Sequence, residues 1–370
     1  MKKSLQIRPS DTINAFLLFF IIHAAQIGIG IQGFQRIVYQ DAKHDAWISV
    51  ILAGLATHII AIFMLKTLEI YGSNDLYGIH QDIFGKWIGN FFNIIYILYS
   101  SVSFFAVLRN YIDVVQSWVF PDLGTWFLAA SLLLIIIYTF TGGLRVIVGM
   151  TFFSVVLSIG LFPMIAFPMK YMEPRNLLPI LEANLGELLK GLKSMSFTII
   201  GFEILYVIYP FVKDKENAKK HIHLGLFATS IIYLSIMLVT LTYFSGEQLT
   251  KTIWATLSLF SIVEFPFIER FEYIAVCFWM LIILPNLCLF IWSAFRGTRR
   301  LVNISAKKFV WIFSSIIFLV SLTFKTRFQI NTFNDYFGQL AFYIIFIYPI
   351  ILYFFATVKK KFKSRKEQVD

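Results

Sequence analysis

SFTIIGFEILYVIYP, residues 196–210, is the stretch on which the reading of this chain turns. It is apolar enough for a membrane-embedded helix, yet Gly201 and Glu203 stand near its middle. Glycine weakens a helix, and a carboxylate within hydrocarbon is costly. A helix that faces only lipid has use for neither. The segment therefore builds a site or tolerates a defect, and the rest of the chain has to separate the two.

The chain has 370 residues, 58% of them hydrophobic and only 14% charged. A soluble domain is about half apolar and about a quarter charged, so this composition belongs to an all-α polytopic membrane protein. The 41 Phe and 17 Tyr suit aromatic-rich helices and interfacial belts. The two cysteines, Cys277 and Cys288, share one apolar run and read as packing residues. The net charge of +11 belongs on cytoplasmic loops and an anionic leaflet, so no nucleic-acid partner is called for. The basic start, MKKSLQIRPSDT, leads into an apolar run as long as a full crossing, which reads as a retained first span rather than a cleaved signal.

About 20 apolar residues cross a bilayer. Runs of that kind fall at about 12–38, 46–68, 90–119, 124–141, 146–169, 192–212, 222–244, 271–295, 308–324 and 336–358, which makes ten transmembrane helices. With the N-terminus inside, 21 of the 32 Lys and Arg fall on the inner side, 10 on the outer and Arg109 within a span. Cytoplasmic loops collect such residues, so both termini are expected in the cytoplasm. Nothing outside the spans is long enough to fold alone. Residues 1–370 thus read as one integral membrane domain, with halves at about 12–169 and 192–358 and a basic cytoplasmic tail at 359–370 that anchors to the inner leaflet of the lipid bilayer. In the outer loop 170–191, LLPILEANLGELL predicts a short surface helix before the sixth span. The inner segment 72–89 reads as a re-entrant or interfacial helix.

Five spans plus five invites comparison of the first span in each half. Span 1 contains HAAQIGIGIQGF, with Gly28, Gly30 and Gly33, and span 6 contains SFTIIGFE, with Gly201. Glycine-interrupted helices at corresponding places are the best pointer in a sequence to a transporter-type site. Unwinding at mid-depth frees backbone groups that cannot face lipid. Freed amides at a half-helix start suit a carboxylate, and freed carbonyls suit an ammonium group, so a zwitterion fits both. Close packing of helices is the plainer use of such glycines. Glu203 has its own alternatives: a tether to unpaired backbone, a partner for a basic group, or a proton-binding group.

FTIIGFE (197–203) resembles the span-6 motif of amino acid permeases of the APC superfamily, and Gly28-Ile29-Gly30-Ile31 is similar to the span-1 motif of that superfamily. FGKWIG (84–89), NLLPILEANLG (176–186), YPF (209–211), TKTIWATLSLF (250–260) and FIERFEYIAVCFW (267–279) resemble a narrower group, the B subunits of spore germinant receptors. The likeness covers nearly the whole chain. One departure is IQGFQRI (31–37), where the family often has a proline shortly after the span-1 glycines. The resemblance implies an APC-type fold, a 5+5 inverted repeat with helices 1 and 6 unwound. It implies a nutrient sensor in the spore inner membrane that works with A-type and lipoprotein C-type subunits, and sensing rather than net transport.

The expected ligand-binding residues follow. Gly28, Ile29 and Gly30 would receive the carboxylate of a small nutrient such as an amino acid. Phe197, Thr198 and Gly201 would supply an aromatic lid, a hydroxyl and freed carbonyls from the other side. Tyr99, Val102 and Ser103 on span 3 would line the pocket laterally, and Tyr99 and Ser103 share a helix face. Asn286, after Pro285 in LPNLC, is placed at the pocket by the resemblance. Ordinary interhelical or intrahelical hydrogen bonding is the alternative for Thr198, Tyr99 and Ser103. Glu203, Glu269, Arg270 and Glu272 read as structural or coupling residues, and Arg109 with Asp113 as an i, i+4 pair. His23 and His58 read as buried histidines bonded to neighbours. No metal-ligand spacing, phosphate loop or nucleophile elbow occurs, so no enzyme, catalytic residue or cofactor is expected. Two other classes stay open: a proton-coupled amino acid transporter acting alone, and a structural subunit with a vestigial pocket.

Overall fold

A computed structural model of the chain describes Ile7, residues 11–72 and residues 74–366. The basic residues Lys2, Lys3 and Arg8 and the last four residues of the expected tail lie outside these. The first rod is α1 (Leu17–Gln26), a 3-10 turn (Ile29–Gln32) and α2 (Phe34–Ala42). The chain reverses into α3 (Ala46–Tyr71), which Gly72 ends in a left-handed conformation at φ 60°. Asp75 then caps α4 (Leu76–Trp118), accepting from the Gly78 amide at 3.0 Å. Within the expected interfacial segment 72–89, residues 76–84 are the first arm of this helix, set off by a kink at Gly85. α5 (Thr125–Thr141) covers the expected run 124–141 and ends at Gly142-Gly143, and α6 (Leu144–Ser158) continues into 3-10 turns that reach Tyr171.

In the second half, Asn184 and Glu187 form a capping box that starts α7 (Leu185–Ile199). The separate surface helix expected before span 6 is therefore absent: nothing stops the helix between Leu185 and Ile199, so both are one element. Asp45 anchors the preceding loop, its carboxylate accepting from the Leu181 and Ala183 amides at 2.8 Å each. There follow α8 (Leu205–Ile208), α9 (Lys215–Tyr243), the short α10 (Gly246–Lys251) and α11 (Ala255–Phe260), and α12 (Phe271–Leu301), which runs through Pro285. α13 (Ala306–Thr323) and α14 (Arg327–Phe342) precede a π turn (Tyr343–Ile347) and α15 (Tyr348–Lys366). Lys359, at the start of the expected tail, lies 3.8 Å from Asp82 of α4.

Among the described residues seven helical segments are long and apolar enough to cross a membrane, and the bent pair Leu185–Ile199 with Phe202–Phe211 makes an eighth if taken as one. Two shorter apolar helices, α1 and α5, fall in the expected first and fourth spans. α13 is apolar on both sides, with Phe309, Phe313 and Ile317 packed inward and Trp311, Ile316 and Leu319 each more than half exposed. A helix apolar all round is at home in lipid.

α12 and α4 pack along each other at the centre, flanked by α1 against α9 and α2 against α7. At one end the two broken rods are joined: the Ile13 amide donates to the Phe211 carbonyl at 2.9 Å and the Lys213 amide to the Ile13 carbonyl at 3.0 Å. At the other end Asp113 pairs with Arg327 at 2.8 Å instead of with Arg109. The Arg109 guanidinium goes to the Phe324 carbonyl, left free where α13 ends, at 2.9 Å. That brings the start of α14 down on Asp113, and Arg327 also stacks on Trp254, 4.7 Å from its ring. His23 bonds Thr229 at 2.8 Å, and His58 bonds His223 at 2.8 Å.

Candidate functional site

The first rod comes apart because Ile27 and Gly28 are extended (Gly28 φ −112°, ψ −152°) between α1 and the 3-10 turn. Carbonyls released from the helical ladder are taken by side chains from elsewhere. Asn286 Nδ2 donates to the Ala25 carbonyl at 2.6 Å, the Tyr233 hydroxyl to Gln26 at 3.1 Å, Trp279 Nε1 to Gly28 at 3.2 Å and the Thr256 hydroxyl to Ile31 at 2.8 Å. The amides are treated differently. The Gly28 amide makes no hydrogen bond among the described residues, and a helical turn leaves its own first amides, here Ile29 and Gly30, without a partner.

The second rod breaks where Ile200 turns extended and Gly201 enters the left-handed region (φ 117°, ψ −28°), before a 3-10 turn at Phe202–Ile204. Here the loose ends are tied. The Gly201 amide donates to Glu203 Oε2 at 2.7 Å, and the Tyr99 hydroxyl donates to Glu203 Oε1 at 2.7 Å. The Tyr96 hydroxyl reaches the Glu203 carbonyl at 3.1 Å. Gln26 Nε2 donates to the Ile199 carbonyl at 2.9 Å, and the single Tyr233 hydroxyl proton is shared between the Gln26 carbonyl and the Thr198 carbonyl, 3.2 Å away, so both breaks share Gln26 and Tyr233. The buried carboxylate in the opening stretch thus caps the break beside it, with both oxygens engaged.

A cavity lies between the breaks. Its volume, as the space open to the centre of a water-sized sphere, is about 40 Å³. One water needs about 10–15 Å³ by that measure, so it takes a small polar group and not only a single water. Gly28, Ile29, Gly30 and Gln26 form one wall and Phe197, Thr198 and Ile200 another. α4 contributes Ser103 and Asn110, α12 Asn286 and Phe290, and α14 Phe337. Thr198 faces Gly30 closely: a Cβ built on Gly30 would stand 3.0 Å from its hydroxyl.

Seven of the expected ligand residues therefore share this wall: Gly28, Ile29, Gly30, Ser103, Phe197, Thr198 and Asn286. Three do not. Tyr99 lies behind it on Glu203, its ring stacked on Phe337 at 5.9 Å. Val102, half-buried, packs against the core away from the cavity. Gly201 is pressed against the Ala25 carbonyl rather than opening to the cavity. Ser103 donates to the Tyr99 carbonyl at 2.9 Å, the intrahelical bond that its spacing allows. Asn286 does not repair its own helix after Pro285. It reaches across to α1, which leaves Oδ1 buried without a partner.

Glu269, Arg270 and Glu272 open α12, about 20 Å along the helix from Asn286 at 1.5 Å per residue. Arg270 bridges to Glu272 at 2.9 Å and lies 3.8 Å from the Tyr273 ring, so these charges form a local cluster away from the cavity. Sequence reasoning missed Gln26, Asn110, Phe337, Tyr233 and Trp279. Gln26 had a signal, an amide in mid-span just before the glycines. Tyr233 and Trp279 had none, since their partners lie more than two hundred residues away for Gln26 and Gly28.

Residues 12–330 match the model of the family described as "Spore germination protein". Spore germination protein GerQB of Bacillus cereus is 36% identical over 358 residues, covering 97% of this chain and 99% of its own length. Two proteins of Bacillus subtilis (strain 168) are more distant: spore germination protein YndE, 23% identical over 97% of this chain and 99% of its own, and spore germination protein A2, 24% over 95% and 98%.

Proposed function

This chain belongs to the spore germination protein family, and on that premise we propose that it is the nutrient-sensing membrane subunit of a germinant receptor. A small amino acid binds between the two broken rods. Its carboxylate lies on the amides of Gly28, Ile29 and Gly30, where unpaired N–H groups at a helical start favour an anion. Its ammonium group faces the Phe197 carbonyl and the Asn286 amide oxygen. The observation that carries this reading is the asymmetry of the first break: its carbonyls are capped by side chains while the amides at Gly28–Gly30 are left open on a cavity.

In this reading residues 1–370 are one domain of ten crossings, an APC-type 5+5 inverted repeat with repeats at about 12–169 and 192–358. Both termini are cytoplasmic, supported by the excess of Lys and Arg on that side. The chain sits in the spore inner membrane with A-type and lipoprotein C-type subunits, needs no cofactor or metal and catalyses no reaction. Ligand binding works by unequal affinity for two packings of the broken rods, which is the only way that a ligand shifts such an equilibrium. The chain Phe197–Phe337–Tyr99–Glu203–Gly201 supports a route for that shift. Phe197 meets Phe337 edge to face at 6.1 Å, Phe337 stacks on Tyr99, and Tyr99 holds the carboxylate that holds the break.

A proton-coupled transporter acting alone is the alternative, and the buried Glu203 beside the break is the observation on its side. Its engagement by two fixed donors favours the tether. Thermal unfolding of the purified receptor against single amino acids and nucleosides tests the reading, because a ligand of the folded form raises the melting temperature. An amino acid is expected to do so in the native receptor and to lose the effect with Gly28→Val. An equal shift in that variant removes the amides from the site, and uptake of labelled amino acids by proteoliposomes of the chain alone decides for transport.

A further inference from the structure

Arg109, towards the end of α4, is only 3% exposed and carries a charge that a guanidinium does not give up. Burying such a charge is costly unless it is paired. No carboxylate among the described residues pairs with it: Asp113, one turn further along α4, is taken by Arg327. Nη2 donates to the Phe324 carbonyl, while Nε and Nη1 are buried with no hydrogen-bond partner among the described residues. A carbonyl is a dipole, so that one bond leaves the charge of Arg109 unbalanced.

Further buried donors stand open on the neighbouring elements. The segment that meets Arg109 at Phe324 continues into Arg327, whose Nη1 goes to Asp113 at 2.8 Å and whose Nε has no partner. The Arg327 guanidinium lies 4.7 Å from the Trp254 ring, and Trp254 Nε1 is open as well. Trp254 packs on Gly33, where a Cβ would stand 3.2 Å from the ring atom Cε3. Gln32, the preceding residue, is wholly buried with both amide atoms unpartnered. Residues three apart eclipse on a 3-10 turn, so Gln32 stands over Ile29, which faces α4 at the central cavity. Gln32 thereby meets α4 one turn further along, at the level of Asp113. Two guanidinium groups against one carboxylate leave one positive charge in this region. Arg36 of α2 is also within electrostatic reach of Arg327, but it is half-buried and open to water.

We infer that a small monovalent anion of the halide class binds here, outside the central cavity. It is the counter-charge of Arg109, and Arg327 Nε, Trp254 Nε1 and Gln32 Nε2 donate to it. Single N–H groups arriving from separate elements suit a spherical ion, whereas a carboxylate is matched by a parallel pair on one guanidinium. The bound anion ties the start of α14 to α4 and to the 3-10 turn of the first rod. None of this depends on what the central cavity holds.

The purified full chain tests this without any nutrient, with chloride exchanged for methanesulfonate, a larger anion, at constant ionic strength. Chloride is expected to raise the melting temperature saturably, as an ion that binds only the folded form does. The chlorine NMR resonance is expected to broaden with added protein, and bromide to reverse that broadening. A melting temperature set by ionic strength alone, with no broadening that bromide reverses, overturns the site. Acetate or glycine displacing chloride as well as bromide does makes it a carboxylate subsite and overturns the halide assignment. Arg109→Gln is expected to abolish both effects, and a folded Arg109→Gln chain that still responds to chloride overturns the inference. Gln32→Met keeps the test open if that variant does not fold. Removing an amide that merely lacks a partner raises the melting temperature in methanesulfonate and leaves the chloride titration alone. Removing a ligand also raises the half-saturating chloride concentration about tenfold or more, the worth of one hydrogen bond to an ion. The second result is expected, and an unchanged chloride titration in Gln32→Met overturns the donors assigned here.

Discussion

The two breaks use glycine for opposite reasons. At Gly201 the backbone demands it: φ is 117°, and a Cβ would fall on the Ala25 carbonyl. At Gly28 the backbone does not: φ is −112°, and a Cβ would meet only Asn286 Nδ2, at 3.9 Å. The hydrogen bonds divide the same way. Gly201's amide is tied by Glu203, whereas Gly28's amide is tied by nothing among the described residues. The second break is a strut on which the bundle depends, and the first is space held open next to it. A helix interruption is thus not evidence of a site by itself; the difference lies in which end of the peptide bond the fold leaves unsatisfied.

Gly201→Ala attacks the strut and carries the largest expected effect. A non-glycine residue held in that region costs about 1–3 kcal/mol, and the clash with the Ala25 carbonyl adds to it. The melting temperature of the purified chain should fall steeply, and response to any nutrient should disappear with the folded protein rather than ahead of it. A Gly201→Ala chain that melts normally would mean that the second break is as permissive as the first.

The next effect comes from the tether. Glu203→Gln keeps the shape but turns one acceptor into a donor facing the Gly201 amide or the Tyr99 hydroxyl. Losing a hydrogen bond to a charged group costs about 1.5–3 kcal/mol. Tyr99→Phe removes the other half. Because both act on one carboxylate, the double variant should lose less than the sum of the singles, with a coupling of about 0.5–3 kcal/mol. Additive losses in thermal unfolding would show that Tyr99 and Glu203 stabilise the bundle independently.

The contrast also marks what the chain discloses before it is folded. Both breaks were legible, because glycine and a carboxylate in apolar runs conflict with lipid whatever surrounds them. So was most of one cavity wall, since Gly28, Ile29, Gly30, Phe197 and Thr198 are local to the breaks. The caps on the freed carbonyls were not legible. Trp279 reaches Gly28 across 251 residues and Tyr233 reaches Gln26 across 207, and no local pattern selects them from the other aromatics of the chain. Asp113 shows how a local rule loses: its helical neighbour Arg109 has the right spacing, but Arg327, 214 residues away, is delivered by the turn into α14. Val102 was misplaced because the face that a helix turns to a cavity depends on which neighbours it packs against.

Gly28→Ala is the smallest perturbation of the folded state and the sharpest test of the contrast. At a φ open to any residue, replacing glycine by alanine stabilises by about 0.4–1 kcal/mol, by restricting the unfolded chain. The nearest atom to the new methyl is the Asn286 amide at ordinary van der Waals distance, so no packing loss opposes that gain. The melting temperature should therefore hold or rise slightly. The methyl nevertheless enters a cavity of only about 40 Å³, beside the amides that would hold a carboxylate. The further rise in melting temperature produced by an amino acid should shrink or vanish in the same sample. Opposite signs in the two readouts are what reserved space predicts. A fall in the unliganded melting temperature like that of Gly201→Ala would make Gly28 a second strut, and an undiminished amino acid shift would move the carboxylate away from these amides.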